Sequence, residues 1–144
     1  MIVEDTVKKI MVKKVITCNP EASLQNVAKT MHKNNIGCLV VIKGKIPIGI
    51  VTERDMVSKA MVENLDGSKT RVGRIMSSPL KTIKPEDKIY YANSILQRAG
   101  IKKLPVVKNG KLIGIVTQTD IIKYFTKIRN LLALDKFGKS IKSA

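Results

Sequence analysis

Apolar and polar positions along this chain switch between the rhythm of a strand and the rhythm of a helix, and the whole pattern runs twice. Val15-Ile16-Thr17 predicts a short extended segment, stopped at Asn19-Pro20 because proline brings no N–H to a sheet ladder. Ser23 is placed to cap a helix in which Leu24, Val27, Ala28 and Met31 fall at i, i+3, i+4 and i+7, one buried face. Asn34-Asn35 stop that helix, and Gly100 has the same task in the second passage. Cys38-Leu39-Val40-Val41-Ile42 is nearly all apolar, which predicts a strand covered on both faces. Lys43-Gly44-Lys45 turns the chain into the strand 46–51, and the matching turn Lys108-Asn109-Gly110-Lys111 contains the Asn-Gly pair favoured in tight hairpins. A helix from Thr52 or Glu53 to about Glu63 closes a β-α-β-β-α unit.

Shifting the chain by 65 residues lays 7–61 on 72–126 without a gap, with 16 identities in 55 positions. Ile10-Met11 meets Ile75-Met76, Thr17 meets Thr82, Pro20-Glu21 meets Pro85-Glu86, and Ile36 and Leu39 meet Ile101 and Leu104. Gly49-Ile50-Val51-Thr52-Glu53-Arg54-Asp55 meets Gly114-Ile115-Val116-Thr117-Gln118-Thr119-Asp120. The expected fold is α+β, a tandem duplication with pseudo-two-fold symmetry: repeat 1 over 7–65, a linker over 66–71, repeat 2 over 72–126, and an extension over 127–144. A unit of this size is marginal alone, so packing the two together is the economical way to cover their strands. Ile121, Phe125, Ile128 and Leu132 keep a 4-3-4 spacing past the repeat, so the last helix should reach about Asp135, with Gly138 and the Lys/Ser-rich end fraying. Such a basic amphipathic stripe can bind membranes or partners, but more often covers its own core or a homodimer contact.

Composition narrows the field. The apolar fraction is 44% with no Trp, two Phe and three Tyr, so the core must be aliphatic. No apolar run spans a bilayer, no signal-peptide pattern opens the chain, and Cys18 and Cys38 have no pairing or metal spacing. A cytoplasmic protein is expected, with no membrane partner. The formal net charge is +16, spread as +6 over 7–65, +8 over 66–126, +4 over 127–144 and −2 over 1–6. Such a surface attracts anions, nucleic acid among them, though scattered lysines also serve solubility alone.

Side chains for catalysis are scarce. His32 is the single histidine and sits mid-helix among polar residues, and neither a nucleophile elbow, a zinc spacing nor a phosphate-binding glycine loop occurs. The chain reads as a binding module with no metal or resident cofactor. What repeats is Thr-x-x-Asp after a Gly-Ile-Val strand. A helix start leaves N–H groups unpaired and favours an anion, so the two copies suggest a pair of ligand seats. The same spacing is a helix capping box, which needs no ligand at all. Both readings stay open on the residues alone.

With Leu104-Pro105-Val106-Val107 preceding the second copy, these motifs resemble the cystathionine β-synthase (CBS) domain family in its tandem, or Bateman, arrangement, over about 7–126. The resemblance implies binding of adenosine-containing ligands (AMP, ADP, ATP or S-adenosylmethionine) in clefts between paired repeats. It implies that Asp55 and Asp120 take ribose hydroxyls and that Thr52 and Thr117 meet phosphate. It also implies pockets lined by Ile16-Thr17, Lys81-Thr82-Ile83, Ile36-Gly37 and Ile101-Lys102. A carboxylate so near phosphate calls for an added cation: Arg54 in copy one, Lys102 or Lys103 in copy two. Where the copies differ, Arg54 becomes Thr119, Glu53 becomes Gln118 and Gly37 becomes Lys102, and copy one lacks the proline of Leu104-Pro105, so the clefts should differ in affinity. The reading is a stand-alone nucleotide sensor, a disc-like homodimer that signals to a separate protein partner. Two alternatives remain. One is a nucleic-acid-associated protein, weakened because Tyr90, Tyr91, Tyr124, Phe125 and Phe137 form no stacking platform. The other is a structural interaction subunit with degenerate clefts.

Overall fold

The computed structural model describes the backbone of residues 5–137 and the side chains through Leu134. Copy one forms α1 (Val7–Ile10), β1 (Thr17–Cys18), α2 (Leu24–Asn34), β2 (Cys38–Lys43), β3 (Ile46–Thr52) and α3 (Glu53–Asp55). A wider π-helical stretch, Met56–Met61, continues α3, with Val62 N–H bonding to the Val57 carbonyl five residues back. Copy two opens on a 3₁₀ turn, Val72–Arg74, and forms α4 (Ile89–Ala99), β4 (Lys103–Lys108), β5 (Lys111–Thr117) and α5 (Gln118–Phe137). The fold is α+β, built as a duplication.

Local chemistry sets most of these boundaries. Ser23 Oγ accepts from Asn26 N at 3.1 Å to start α2, and Asn35 and Gly100 stop α2 and α4 in the left-handed region, with φ of 52° and 63°. Leu24, Val27 and Met31 are buried as the helical period predicts, but Ala28 is exposed, because the core-facing stripe is narrower than the sequence pattern. Asn109 and Gly110 both take positive φ, as the primed hairpin turn requires. The 66–70 segment is no loose connection. The Asp66 side chain accepts from Ser68 N, Thr70 is buried, and the Gly67 and Thr70 carbonyls accept from Gln25 and Leu24 at the start of α2.

Strand β2 runs parallel to β1 and antiparallel to β3, while β4 pairs antiparallel with β5. The expected first strand of copy two shrinks to a single bridge, Ile83 to Val106. Leu39, Val40 and Val41 have no exposure, and Leu104 and Val106 none, so both central strands are covered on two faces as their apolar runs require. Leu39 and Val41 face the helices of their own core, and the alternation turns Val40 the other way. The two sheets meet where β3 touches β5.

The lead segments cross over. Val7 is fully buried among Ile83, Ile89, Leu96, Leu104 and Val116, the core of copy two. Val72 and Ile75 are buried among Leu24, Val27, Leu39 and Val51, the core of copy one. Val12 pairs with Ile115 and Ser77 with Ile50, each in both directions. At about 1.5–3 kcal/mol for each fully buried branched side chain, the exchange clamps the copies to one another. The expected helix end near Asp135 lies within α5, which runs to Phe137; the fraying expected at Gly138 and beyond falls outside the described residues.

Candidate functional site

Both Thr-x-x-Asp copies are capping boxes. Thr52 Oγ1 accepts from Asp55 N at 3.2 Å, and Asp55 Oδ2 accepts from Thr52 N at 3.0 Å. Thr117 Oγ1 accepts from Asp120 N at 3.2 Å and Asp120 Oδ2 from Thr117 N at 2.9 Å, with the Thr117 hydroxyl also donating to Asp120 Oδ2 at 2.9 Å. The two copies part at the remaining carboxylate oxygen. Asp55, only 7% exposed, has its Oδ1 3.2 Å from Lys59 Nζ. That ammonium also donates to the Ile75 carbonyl at 3.2 Å and to Ser77 Oγ at 3.4 Å. A buried carboxylate is tolerable only when paired and hydrogen-bonded, and Asp55 is both. The repeat puts Tyr124 where Lys59 stands, and its hydroxyl donates to Asp5 Oδ2 at 2.7 Å instead. Among the described residues Asp120 has no salt-bridge partner.

A cavity of about 660 Å³ opens beside the first box. Copy one lines it with Gly37, Ile50 and 52–55, copy two with Ser77, Pro79, Leu80, Lys81 and 100–103, so it lies on the seam. The crossover makes this possible: Ser77 is tied to Ile50 by backbone bonds and carries the following residues across the mouth of copy one. Four cationic side chains (Arg54, Lys81, Lys102 and Lys103) stand on the wall against two carboxylates, Glu53 and Asp55. At Gly37 an added Cβ would lie 3.3 Å from Glu53 Oε1 and 3.6 Å from Lys103 Nζ, so the missing side chain leaves room for both.

The sequence-selected residues divide. Gly37, Thr52, Arg54, Asp55, Ile101 and Lys102 come together on this wall. Thr17 sits on β1 opposite Val40, Ile36 packs against the first core, and Thr82 is exposed. Ile83 is a core residue, 3% exposed, because strand alternation turns its side chain inward from Thr82. Thr117, Thr119 and Asp120 stand at the second box, away from this cavity. Sequence reasoning missed Ser77, Pro79, Leu80 and Lys59. The first three could not be found without the crossover; Lys59 could, from its position four residues after Asp55 on one helix face.

Nothing in the thiols suggests chemistry. Burial pushes Cys18 up to about 11, and burial raises Cys38 as well, against the pull of Lys103. No group of His, Cys, Asp and Glu among the described residues could hold a metal ion, and no described helix is long and apolar enough to cross a membrane.

The sequence model described as CBS domain matches residues 7–61 and again 72–127. The chain belongs to the CBS domain family. Its CBS pair is 38% identical over 111 residues to the uncharacterized protein MK0525 of Methanopyrus kandleri, covering 76% of this chain and 57% of that protein. It is 32% identical to the mitochondrial CBS domain-containing protein CBSX3 of Arabidopsis thaliana, over 74% of this chain and 54% of that protein. The chain thus spans little more than half the length of these curated relatives, and 34% of another, MJ1404 of Methanocaldococcus jannaschii. Among solved structures, the CBS domain pair of protein MJ0100, in complex with 5′-methylthioadenosine and S-adenosyl-L-methionine, superposes with a TM-score of 0.80 at 28% identity. That match covers 87% of this chain and 98% of the other.

Proposed function

We propose that this CBS pair is a regulatory binding module that takes an adenosine-containing ligand (AMP, ADP, ATP or S-adenosylmethionine) in the seam cavity. The observation that carries the reading is the cavity itself. Its volume of about 660 Å³ falls within the range of roughly 300–1,000 Å³ typical of small-molecule sites. A buried carboxylate and several cations converge on it from both copies. The Asp55 oxygens keep lone pairs beyond those used by Thr52 N and Lys59, enough to accept from ribose hydroxyls, while Arg54 or Lys102 meets phosphate. The adenosyl compounds in the MJ0100 pair support the same class of ligand. A ligand touching both copies can bias their relative arrangement, provided it binds one arrangement better than another.

The partner surface is proposed as a second copy of the chain. Val57, Met61 and Val62 on the π-helical side and Ile122, Leu131 and Leu132 on α5 are exposed apolar side chains, and Val57 and Ile122 occupy equivalent repeat positions. A face related to itself by pseudo-symmetry suits an isologous contact.

Calorimetry with AMP, ATP and S-adenosylmethionine tests the ligand reading, with Asp55→Ala as the site variant. Binding that weakens at least tenfold in the variant is the expected result. Failure of all three to bind, or binding indifferent to Asp55, would remove the assignment.

A further inference from the structure

We infer that the seam cavity selects phosphorylated nucleotides over cationic or uncharged adenosyl compounds. The inference rests on the adenosyl reading above and narrows it by charge. Arg54, Lys81, Lys102 and Lys103 line the cavity against Glu53 and Asp55. One of those carboxylates is already engaged: Lys59 holds Asp55 Oδ1 at 3.2 Å from behind the wall. The environment met by a ligand is therefore cationic. S-adenosylmethionine, with a sulfonium and an α-ammonium against a single carboxylate, keeps a net positive charge and would enter against that field, and methylthioadenosine would gain nothing from it. A di- or triphosphate would be attracted by every one of the four cations, and a partly enclosed wall screens such attraction less than open solvent does.

The arrangement is specific to this chain's copies. Lys102 stands where copy one has Gly37, Lys103 where it has Cys38, and Lys81 where it has Ile16. All four cations on this wall therefore come from positions that are uncharged in the other copy, Arg54 standing where copy two has Thr119. The corresponding positions beside Thr117 and Asp120 lack them, and Thr119 replaces Arg54 there. The repeat leaves the second cleft only Lys14 (matching Pro79) and Lys102 (matching Gly37) against Asp120, with Gln118 in place of Glu53. The cation excess is therefore larger at the first cleft, and the nucleotide preference should be stronger there.

The test is a set of titrations by calorimetry at low salt with ATP, ADP, AMP, S-adenosylmethionine and methylthioadenosine, repeated at higher salt. The expected order is ATP and ADP ahead of AMP, with the last two at least tenfold weaker than ATP, and ATP affinity falling as salt rises. Lys81→Glu and Lys102→Glu alter exposed side chains. Each should weaken ATP about tenfold or more, equivalent to about 1.4 kcal/mol, while leaving S-adenosylmethionine unchanged or tighter. Circular dichroism of each variant confirms the fold. S-adenosylmethionine or methylthioadenosine binding as tightly as ATP would overturn the charge selection and leave the adenosyl reading standing. Failure of all five ligands would overturn the reading beneath it.

Discussion

Gly49 and Gly114 open the two Gly-Ile-Val-Thr runs, and neither glycine serves the cavity. A Cβ built on Gly49 would lie 2.6 Å from Met76 Sδ and 3.1 Å from the Ser77 carbonyl; one on Gly114 would lie 2.7 Å from Met11 Sδ and 3.1 Å from the Val12 carbonyl. Each glycine is the seat on which the other copy's lead segment rests. Gly49→Ala should therefore destabilise the protein by about 1–3 kcal/mol through overpacking, read from urea midpoints. Adding Met76→Ala should recover part of the loss, a coupling that a double-mutant cycle measures. Additive losses would mean that the contact does not hold the copies together. The sequence displayed Gly49, Gly114, Met11 and Met76 as matched landmarks, yet not their pairing. Repeat alignment shows which positions are equivalent; it does not show which copy a segment packs against.

Among the elements, the α5 helix shows best how a duplicated segment acquires a different task. Where copy one has Lys59 tying Asp55 to the cavity wall, α5 has Tyr124, buried and bonded to Asp5 of the lead segment. The Tyr124 hydroxyl, with smaller help from Lys9, holds the Asp5 carboxyl below its ordinary value of 3.8. A depressed carboxylate contributes stability that is fully present above its unfolded value and is lost as pH falls through its folded one. Tyr124→Phe should lower the urea midpoint at neutral pH, and the gap from the parent protein should narrow as pH drops below about 4. A gap that stays constant down to pH 2 would assign the loss to packing rather than to the hydrogen bond. The helix periods, the hairpin turns and the cap at Ser23 were legible because local chemistry decides them. The width of the buried stripe at Ala28, the inward turn of Ile83 and the reduction of one strand to a bridge were not. Those depend on how the finished core packs, which no local pattern specifies.

At the scale of the whole molecule, the crossover gives the site its two-sided wall. Capping-box residues of copy one would line only half a cleft; Ser77, Pro79 and Leu80 are carried to it because Val72 and Ile75 are buried in the first core. The candidate site was half legible for this reason. The matched Thr-x-x-Asp pairs pointed to Thr52 and Asp55, while the residues facing them required the three-dimensional exchange. The proposed contact between two copies of the chain belongs to the same scale. Val57→Asp with Ile122→Asp, both at exposed positions, should leave the fold intact and shift light-scattering mass from dimer to monomer; an unchanged mass would place the contact between copies elsewhere.

The most direct test of the central claim is a crystal structure of the protein grown with ATP. Density is expected in the seam cavity, with ribose oxygens within hydrogen-bond distance of Asp55 from copy one and phosphate oxygens near Lys81 or Lys102 from copy two. Nucleotide bound only at some other surface, with the seam cavity vacant or filled by the protein's own side chains, would contradict it.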